Sequence, residues 1–148
     1  MGCHIIPLDL VRVKNIIDNF DFGYVVDRAV KAGMPPKVAP QALAEFKAFL
    51  FAHAAHPDVP LVPQSCSCDD LWHESIVADT RAYFRFCVAA FGCYLHHDGV
   101  NATALELAGY RTQSAKILGE AAAECNIDTE ALCMAISDLQ GPELQVSV

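Results

Sequence analysis

The chain has 148 residues, a net charge of −8 and a hydrophobic content of 53%, with a mean hydropathy of +0.27 and a pI near 5.0. Its length suits one ordinary domain, and its charge argues against a nucleic-acid binder, which gains affinity by neutralising phosphates. No run approaches the ~18 apolar residues that a membrane span needs, so the apolar excess is expected in a core or a protein interface.

Three helices are predicted in the first third of the chain. The first covers Asp9 to Asn19, where apolar residues recur at spacings of three and four. The second runs from Gly23 to Ala32 and ends at Gly33, ahead of a pair of prolines. The third runs from about Pro40 to Ala55. The prolines between Pro57 and Ser65 make the next segment an extended connection.

A fourth and a fifth helix follow this connection. Ser67, with Asp70 three residues later, resembles an N-terminal capping arrangement for the fourth helix. Asp79 and Thr80 offer a cap for the fifth, which is predicted to end near Tyr94. Because apolar side chains cover most directions of the fifth helix, we expect it to be the central and most buried one, near residues 80–94.

The last third of the chain predicts two more helices, over Asn101 to Ala123 and Asp128 to Ser137, with Gly109 as a point where the first could break. Nothing alternates in hydrophobicity for long enough to make a sheet. The sequence therefore predicts an all-α, single-domain helical bundle of about six to seven helices over residues 1–140. A loose tail is predicted over residues 141–148.

About thirty residues near the middle of the chain hold its only tryptophan, three of its six histidines and two of its seven cysteines. Asp69 and His73 are one turn apart and share a helical face. Cys87 is expected on the buried side of the fifth helix, and the glycine after that helix permits a bend that brings back His96 or His97. Carboxylate, imidazole and thiolate donors suit zinc or iron. The pattern therefore predicts a metal site built from Asp69, His73, Cys87 and one of the two histidines. At most one of His96 and His97 is expected as a ligand, because adjacent residues do not share a helical face.

Each of these residues also has a structural interpretation. Asp69 at a helix start can stabilise free amides, His73 can be a hydrogen-bonded core imidazole, and Cys87 can pack as a small hydrophobic side chain. His53, on an apolar helix side, is expected to be a core histidine. The open alternative to metal binding is a metal-free protein–protein interaction module in which the motif residues form a structural polar network.

Three short patterns resemble the bacterial branch of the glycine-rich-domain-containing-protein-like family. They are Asp-x-x-Trp-His at residues 69–73, Thr-x-x-Tyr-x-x-Phe-Cys at 80–87 and Phe-Gly-x-x-x-His-His at 91–97. The resemblance runs from about Ala42 to His97, which makes residues 42–97 the family-like core. Plant members carry a related Trp-His-x-His pattern, whose second histidine position holds Ser75 here. The resemblance implies a family and no particular reaction.

Whether the chain is an enzyme is left open by the sequence. Catalysis at a metal would need an acid or base, and Glu74 or Asp70 could serve only if their side chains turn inward. Phosphate-loop and dinucleotide patterns are absent, so no nucleotide cofactor is expected.

The cysteine content and the apolar excess predict the redox state of the thiols, the location and the partners of the protein. An odd number of cysteines without an apolar leader predicts reduced thiols and a cytoplasmic location. Cys66 and Cys68 lack the Cys-x-x-Cys spacing of zinc knuckles and are outside the family pattern, so they are expected to be loop thiols. The apolar excess predicts a homodimer or another protein partner, and neither a membrane nor a nucleic acid is expected as a partner.

Overall fold

The computed structural model describes residues 9–97 and 103–124, which form six α-helices and no strand. These are α1 (Leu10–Asn19), α2 (Gly23–Lys31), α3 (Ala39–Ala55), α4 (Cys66–Ala78), α5 (Thr80–Phe91) and α6 (Ala104–Glu124). The predicted all-α bundle is confirmed. The predicted helix at 128–137 and the tail at 141–148 lie outside the described residues, and the single domain over 1–140 stays a prediction. Within the described ranges, no helix is long and apolar enough to cross a membrane.

The ends of α1 and α5 are determined by local sequence. The Asp9 carboxylate accepts hydrogen bonds from the first free amides of α1, at 3.1 and 3.3 Å. The Asp79 carboxylate accepts one from the Ala82 amide of α5, at 2.9 Å. Gly92 ends α5 in the left-handed conformation, with a φ of 74° that favours glycine. Asp79 was predicted as a cap and Gly92 as a point where the chain could bend after the helix, whereas Asp9 was predicted as the first residue of its helix and not as the cap.

The start of α4 differs from its prediction. Ser65 caps this helix by accepting a hydrogen bond from the Cys68 amide at 3.1 Å, whereas Ser67 was the predicted cap. The helix begins at Cys66, so Cys66 and Cys68 lie in its first turn and are not loop thiols. Gly109 does not interrupt α6.

The most enclosed helix is α3, and the prediction that the fifth helix is central is wrong. α3 packs against α1, α2, α4 and α6, and ten of its 17 residues are buried, compared with five of the 12 in α5. α5 has a solvent-facing side on which Phe84 and Val88 are 52% and 45% exposed. Apolar residues on that side made the helix resemble a buried one.

Aromatic packing positions α5 in the bundle. Phe22, in the turn between α1 and α2, makes edge contacts with Phe46 of α3 at 5.6 Å and Phe86 of α5 at 5.7 Å between ring centroids. Phe20 packs on Phe86 at 4.9 Å. Such aromatic contacts add to the stabilisation from buried area alone. They hold the buried side of α5 towards the core, and α5 also packs against α4.

Candidate functional site

A chain of hydrogen bonds joins α4, α5 and the residues after α5. The Trp72 indole N–H donates to the Tyr83 hydroxyl at 3.0 Å, and that hydroxyl donates to the Leu95 carbonyl at 2.5 Å. Both aromatic side chains are buried. Burial and the neighbouring Cys87 thiol raise the pKa of Tyr83, so its hydroxyl keeps the donated proton. These bonds hold residues 93–97, here called the post-α5 segment, to the two helices at Leu95.

A second link joins the post-α5 segment to α4. His97 Nε2 and Asp69 Oδ1 lie 2.9 Å apart, and each side chain is 21% exposed. The His97 ring packs on the Trp72 ring with centroids 4.3 Å apart. The His73 ring is 6.2 Å from that of His97 and nearly perpendicular to it. The structure therefore places the Asp69 carboxylate against His97, with the His73 ring beside the His97 ring.

Cys87 has different neighbours. Its side chain is fully buried, and it hydrogen-bonds with the Tyr83 side chain and the backbone of Leu95. Burial raises the pKa of this thiol despite these two hydrogen bonds, which favours the neutral form. Within residues 9–97 and 103–124, no three His, Cys, Asp or Glu side chains are grouped in a way that could hold a metal ion. Ligand roles for the five predicted residues stay a prediction.

The two adjacent histidines have different surroundings. His97 lies against α4, whereas His96 is exposed and packs its ring on Tyr94 at 4.7 Å. This agrees with the interpretation that at most one of the pair joins the cluster with Asp69. The sequence did not distinguish which of the two it would be.

The two candidate acid–base residues on α4 are engaged or exposed. The Glu74 carboxylate accepts a hydrogen bond from the Arg28 guanidinium of α2 at 2.9 Å. Asp70 is exposed to solvent. Glu74 is thus engaged with α2, and Asp70 faces solvent.

A buried polar cluster that sequence reasoning missed lies at the start of α4. The Ser65 hydroxyl donates to the Glu45 carboxyl group at 2.5 Å, and the Cys68 thiol also hydrogen-bonds to that group. Glu45 is 2% exposed. Burial raises its pKa more than the two hydrogen bonds lower it, and burial followed by the Glu45 charge raises the pKa of Cys68. The sequence signal that could have revealed this cluster is Glu45 itself, a charged residue among the apolar residues of α3.

His53 is a second polar side chain on the inner side of α3, and its Nε2 atom is buried. It packs against Phe49 and Trp72, with ring centroids 4.6 and 5.8 Å away. Its Nε2 atom has no hydrogen-bond partner among the described residues. Burial lowers its pKa to about 4, so the ring is neutral near pH 7. His53 is therefore a core histidine, as expected.

The thiols are not all reduced. Cys66, Cys68 and Cys87 are free, but Cys93 is disulfide-bonded. The prediction of fully reduced thiols is wrong for Cys93. It rested on the number of cysteines, which carries no information on which of them approach each other in space.

These helices and links define a small all-α protein whose tryptophan, tyrosine and histidine side chains fasten an irregular segment to a helix pair. The chain belongs to the UCP032817-like family, whose model matches residues 12–129. That family is uncharacterised, and nothing in the match confirms the resemblance to the glycine-rich-domain-containing-protein-like family. Searches of curated proteins and of solved structures find no match.

Proposed function

We propose that the chain is a small helical protein-interaction module in which the motif residues form a metal-free polar network. The observation that carries this proposal is the double attachment of the post-α5 segment to the helices. One link is the Asp69–His97 contact at 2.9 Å, and the other is the hydrogen-bond chain through Trp72 and Tyr83 to Leu95. The network's role is to hold this segment in one conformation.

The physical argument concerns how an irregular segment is kept in place. Residues 94–97 have no helix or strand pairing, so their backbone is not stabilised by a regular ladder. Buried, mutually satisfied polar groups can fix a single arrangement in such a place. Trp72 and Tyr83 use their polar atoms on each other and on the segment, and Asp69 uses a carboxylate oxygen on His97. A protein partner and a cytoplasmic location stay part of this proposal.

Metal binding is the second candidate, and the observation that favours it is the Asp69–His97 contact with the His73 ring nearby. Two imidazoles and one carboxylate are a donor set used by iron and zinc. His97 Nε2 and Asp69 Oδ1 are already 2.9 Å apart, although the exposed His73 ring would have to turn towards them. Cys87 would not take part, because its contacts are with Tyr83 and Leu95.

One comparison separates the two candidates. The protein, produced without a histidine tag in zinc- and iron-supplemented medium, is analysed for metal by mass spectrometry and melted with and without a chelator. The network proposal expects no stoichiometric metal and the same melting temperature in both conditions. His73→Ala should change the unfolding free energy by less than about 0.5 kcal/mol, because the side chain is exposed. His96→Ala is the matched control.

A metal content near one ion per chain, lost in His73→Ala but kept in His96→Ala, would overturn the network proposal in favour of the metal site. A chelator-induced fall in melting temperature would have the same meaning, since a metal bound only to the folded state stabilises that state.

A further inference from the structure

The solvent-facing side of α5 carries four side chains that the polar network does not use. Arg81, Phe84, Arg85 and Val88 recur at helical spacings of three and four, so they share one face. All four are exposed, with Phe84 at 52% and Val88 at 45%. An apolar pair presented to water between two cations differs from scattered surface apolar residues, because it forms a continuous strip.

The post-α5 segment widens this strip. The Tyr94 ring stacks against Phe84 with centroids 6.2 Å apart, and the His96 ring packs on Tyr94 at 4.7 Å. Between and after them, the Leu95 carbonyl and His97 make the hydrogen bonds that hold the segment to α5 and α4. The network therefore fixes two aromatic side chains beside the helix strip. The resulting surface, called the α5 face, consists of Arg81, Phe84, Arg85, Val88, Tyr94 and His96.

The charge of the α5 face is opposite to that of the whole protein. The chain has 18 acidic and 10 basic residues, but the six residues of the α5 face include two arginines and no acidic side chain. Neither guanidinium forms an ion pair with another described residue. Arginine and aromatic side chains are enriched where proteins bind each other. Carboxylates are the groups that complement the two arginines.

We propose that the α5 face docks an acidic segment of another protein, with apolar side chains on Phe84, Val88 and Tyr94 and carboxylates on Arg81 and Arg85. The proposal rests on the interaction-module function above and names the partner's chemistry. A second copy of the chain fits less well, because a two-fold contact of this face with itself would gather four guanidinium groups without a carboxylate. Nucleic acid fits less well because two cations on a chain of net charge −8 release few counterions.

The test is titration of the isotope-labelled 148-residue protein with a synthetic peptide, followed by nuclear magnetic resonance. The probe is a capped 14-residue peptide of glutamate, alanine and leucine, with the leucines at helical spacing, and its control has lysine for every glutamate. The expected result is a set of amide shifts confined to residues 80–97 with the acidic peptide, weaker at high salt, and no shifts with the lysine peptide.

Charge reversal sharpens the test. The double change Arg81→Glu and Arg85→Glu should weaken binding of the acidic peptide at least about tenfold and create binding of the lysine peptide. Phe84→Ser should also weaken acidic-peptide binding, whereas Leu105→Ser, at an 84% exposed position on α6, should not. These side chains are exposed, so unchanged circular dichroism is the expected control for folding.

Three results would overturn the docking proposal: no shifts with the acidic peptide, equal shifts with both peptides, or shifts outside the α5 face. Binding to phosphatidylserine vesicles or concentration-dependent self-association through the α5 face, in place of peptide binding, would overturn it too. None of these results depends on metal content or on the chelator response. The polar-network proposal can therefore stand if the docking proposal fails. Peptide binding at the α5 face together with stoichiometric metal would show instead that the network proposal fails and the docking surface exists.

Discussion

Two of the carboxyl groups that join α4 to its neighbours, Glu45 and Asp69, lie in opposite environments. Glu45 reaches from α3 to the start of α4, is 2% exposed, and has a hydroxyl and a thiol as partners. Asp69 lies on α4 itself, has a side chain that is 21% exposed, and contacts an imidazole. The first belongs to the interior and the second to the rim of the bundle.

This difference shows that burial gives two chemically similar groups different structural roles. A buried carboxyl group whose pKa is raised is favoured in its neutral form, so it serves best as a hydrogen-bonding partner for neutral groups. Asp69 instead lies near the surface, where its carboxylate contacts the His97 ring at 2.9 Å. We therefore expect Glu45 to matter for folding of the bundle, and Asp69 to matter for the placement of the post-α5 segment.

The largest expected effect is from Glu45→Ala. This change leaves the Ser65 hydroxyl and the Cys68 thiol without their partner and opens space inside the bundle, which should lower the unfolding free energy by about 2–4 kcal/mol. Urea unfolding at pH 7 measures it. Glu45→Gln is the matched control and should lose much less, because the amide keeps the shape and one acceptor and carries no charge to desolvate.

The pH dependence of Glu45 has a definite sign. A raised pKa in the folded state means that stability is complete below the unfolded value near 4.5 and falls as pH rises through the folded value. Glu45→Gln should remove that decline.

The stabilising role of the Glu45 cluster would be contradicted if Glu45→Ala lowered the unfolding free energy by less than about 0.5 kcal/mol.

His53 should also make the unfolding free energy depend on pH, in the direction opposite to that expected for Glu45. Its pKa falls from 6.5 to about 4 on burial, so between those values the unfolded chain binds a proton that the folded chain does not. Stability is complete above pH 6.5 and should be about 2 kcal/mol lower at pH 5. Unfolding free energies at the two pH values test this, and His53→Leu should flatten the difference. An unchanged slope in His53→Leu would contradict the assignment.

The fold was largely predictable because most helix signals are local. Asp79 and Gly92 begin and end α5 through contacts with their own neighbours in sequence, so their roles were predicted from local patterns. The identity of the central helix could not, because the apolar content of α5 does not distinguish core side chains from the exposed Phe84 and Val88. That distinction depends on which helices pack around which.

The candidate site was likewise predictable only where its signals are local in sequence. Asp69 and His73 share a face because they are four residues apart, and a bend at Gly92 was a local inference that made the return of a histidine plausible. The Glu45–Ser65 bond joins residues twenty positions apart, for which no local spacing gives a signal. The placement of Cys87 with Tyr83 and Leu95 likewise depends on tertiary packing.

Asp69→Asn is expected to have the smallest effect on stability and a clear effect on local structure. The change removes the charge from a partly exposed pair, so the unfolding free energy should fall by about 0.5–1 kcal/mol. Asp70→Asn, at the exposed neighbouring position, should change it by less than about 0.5 kcal/mol.

Because Asp69 contacts the post-α5 segment, its replacement should loosen the backbone at Tyr94 and His96 more than the backbone of the core. Amide hydrogen exchange is expected to rise across residues 93–97 in Asp69→Asn, while the amides of α3 stay protected at the wild-type level. The hydrogen-bond chain from Trp72 through Tyr83 should keep part of the protection, since it reaches the segment independently of Asp69. A uniform loss of protection that includes α3 would place Asp69 with Glu45 as a determinant of the interior and remove the distinction between the two carboxyl groups.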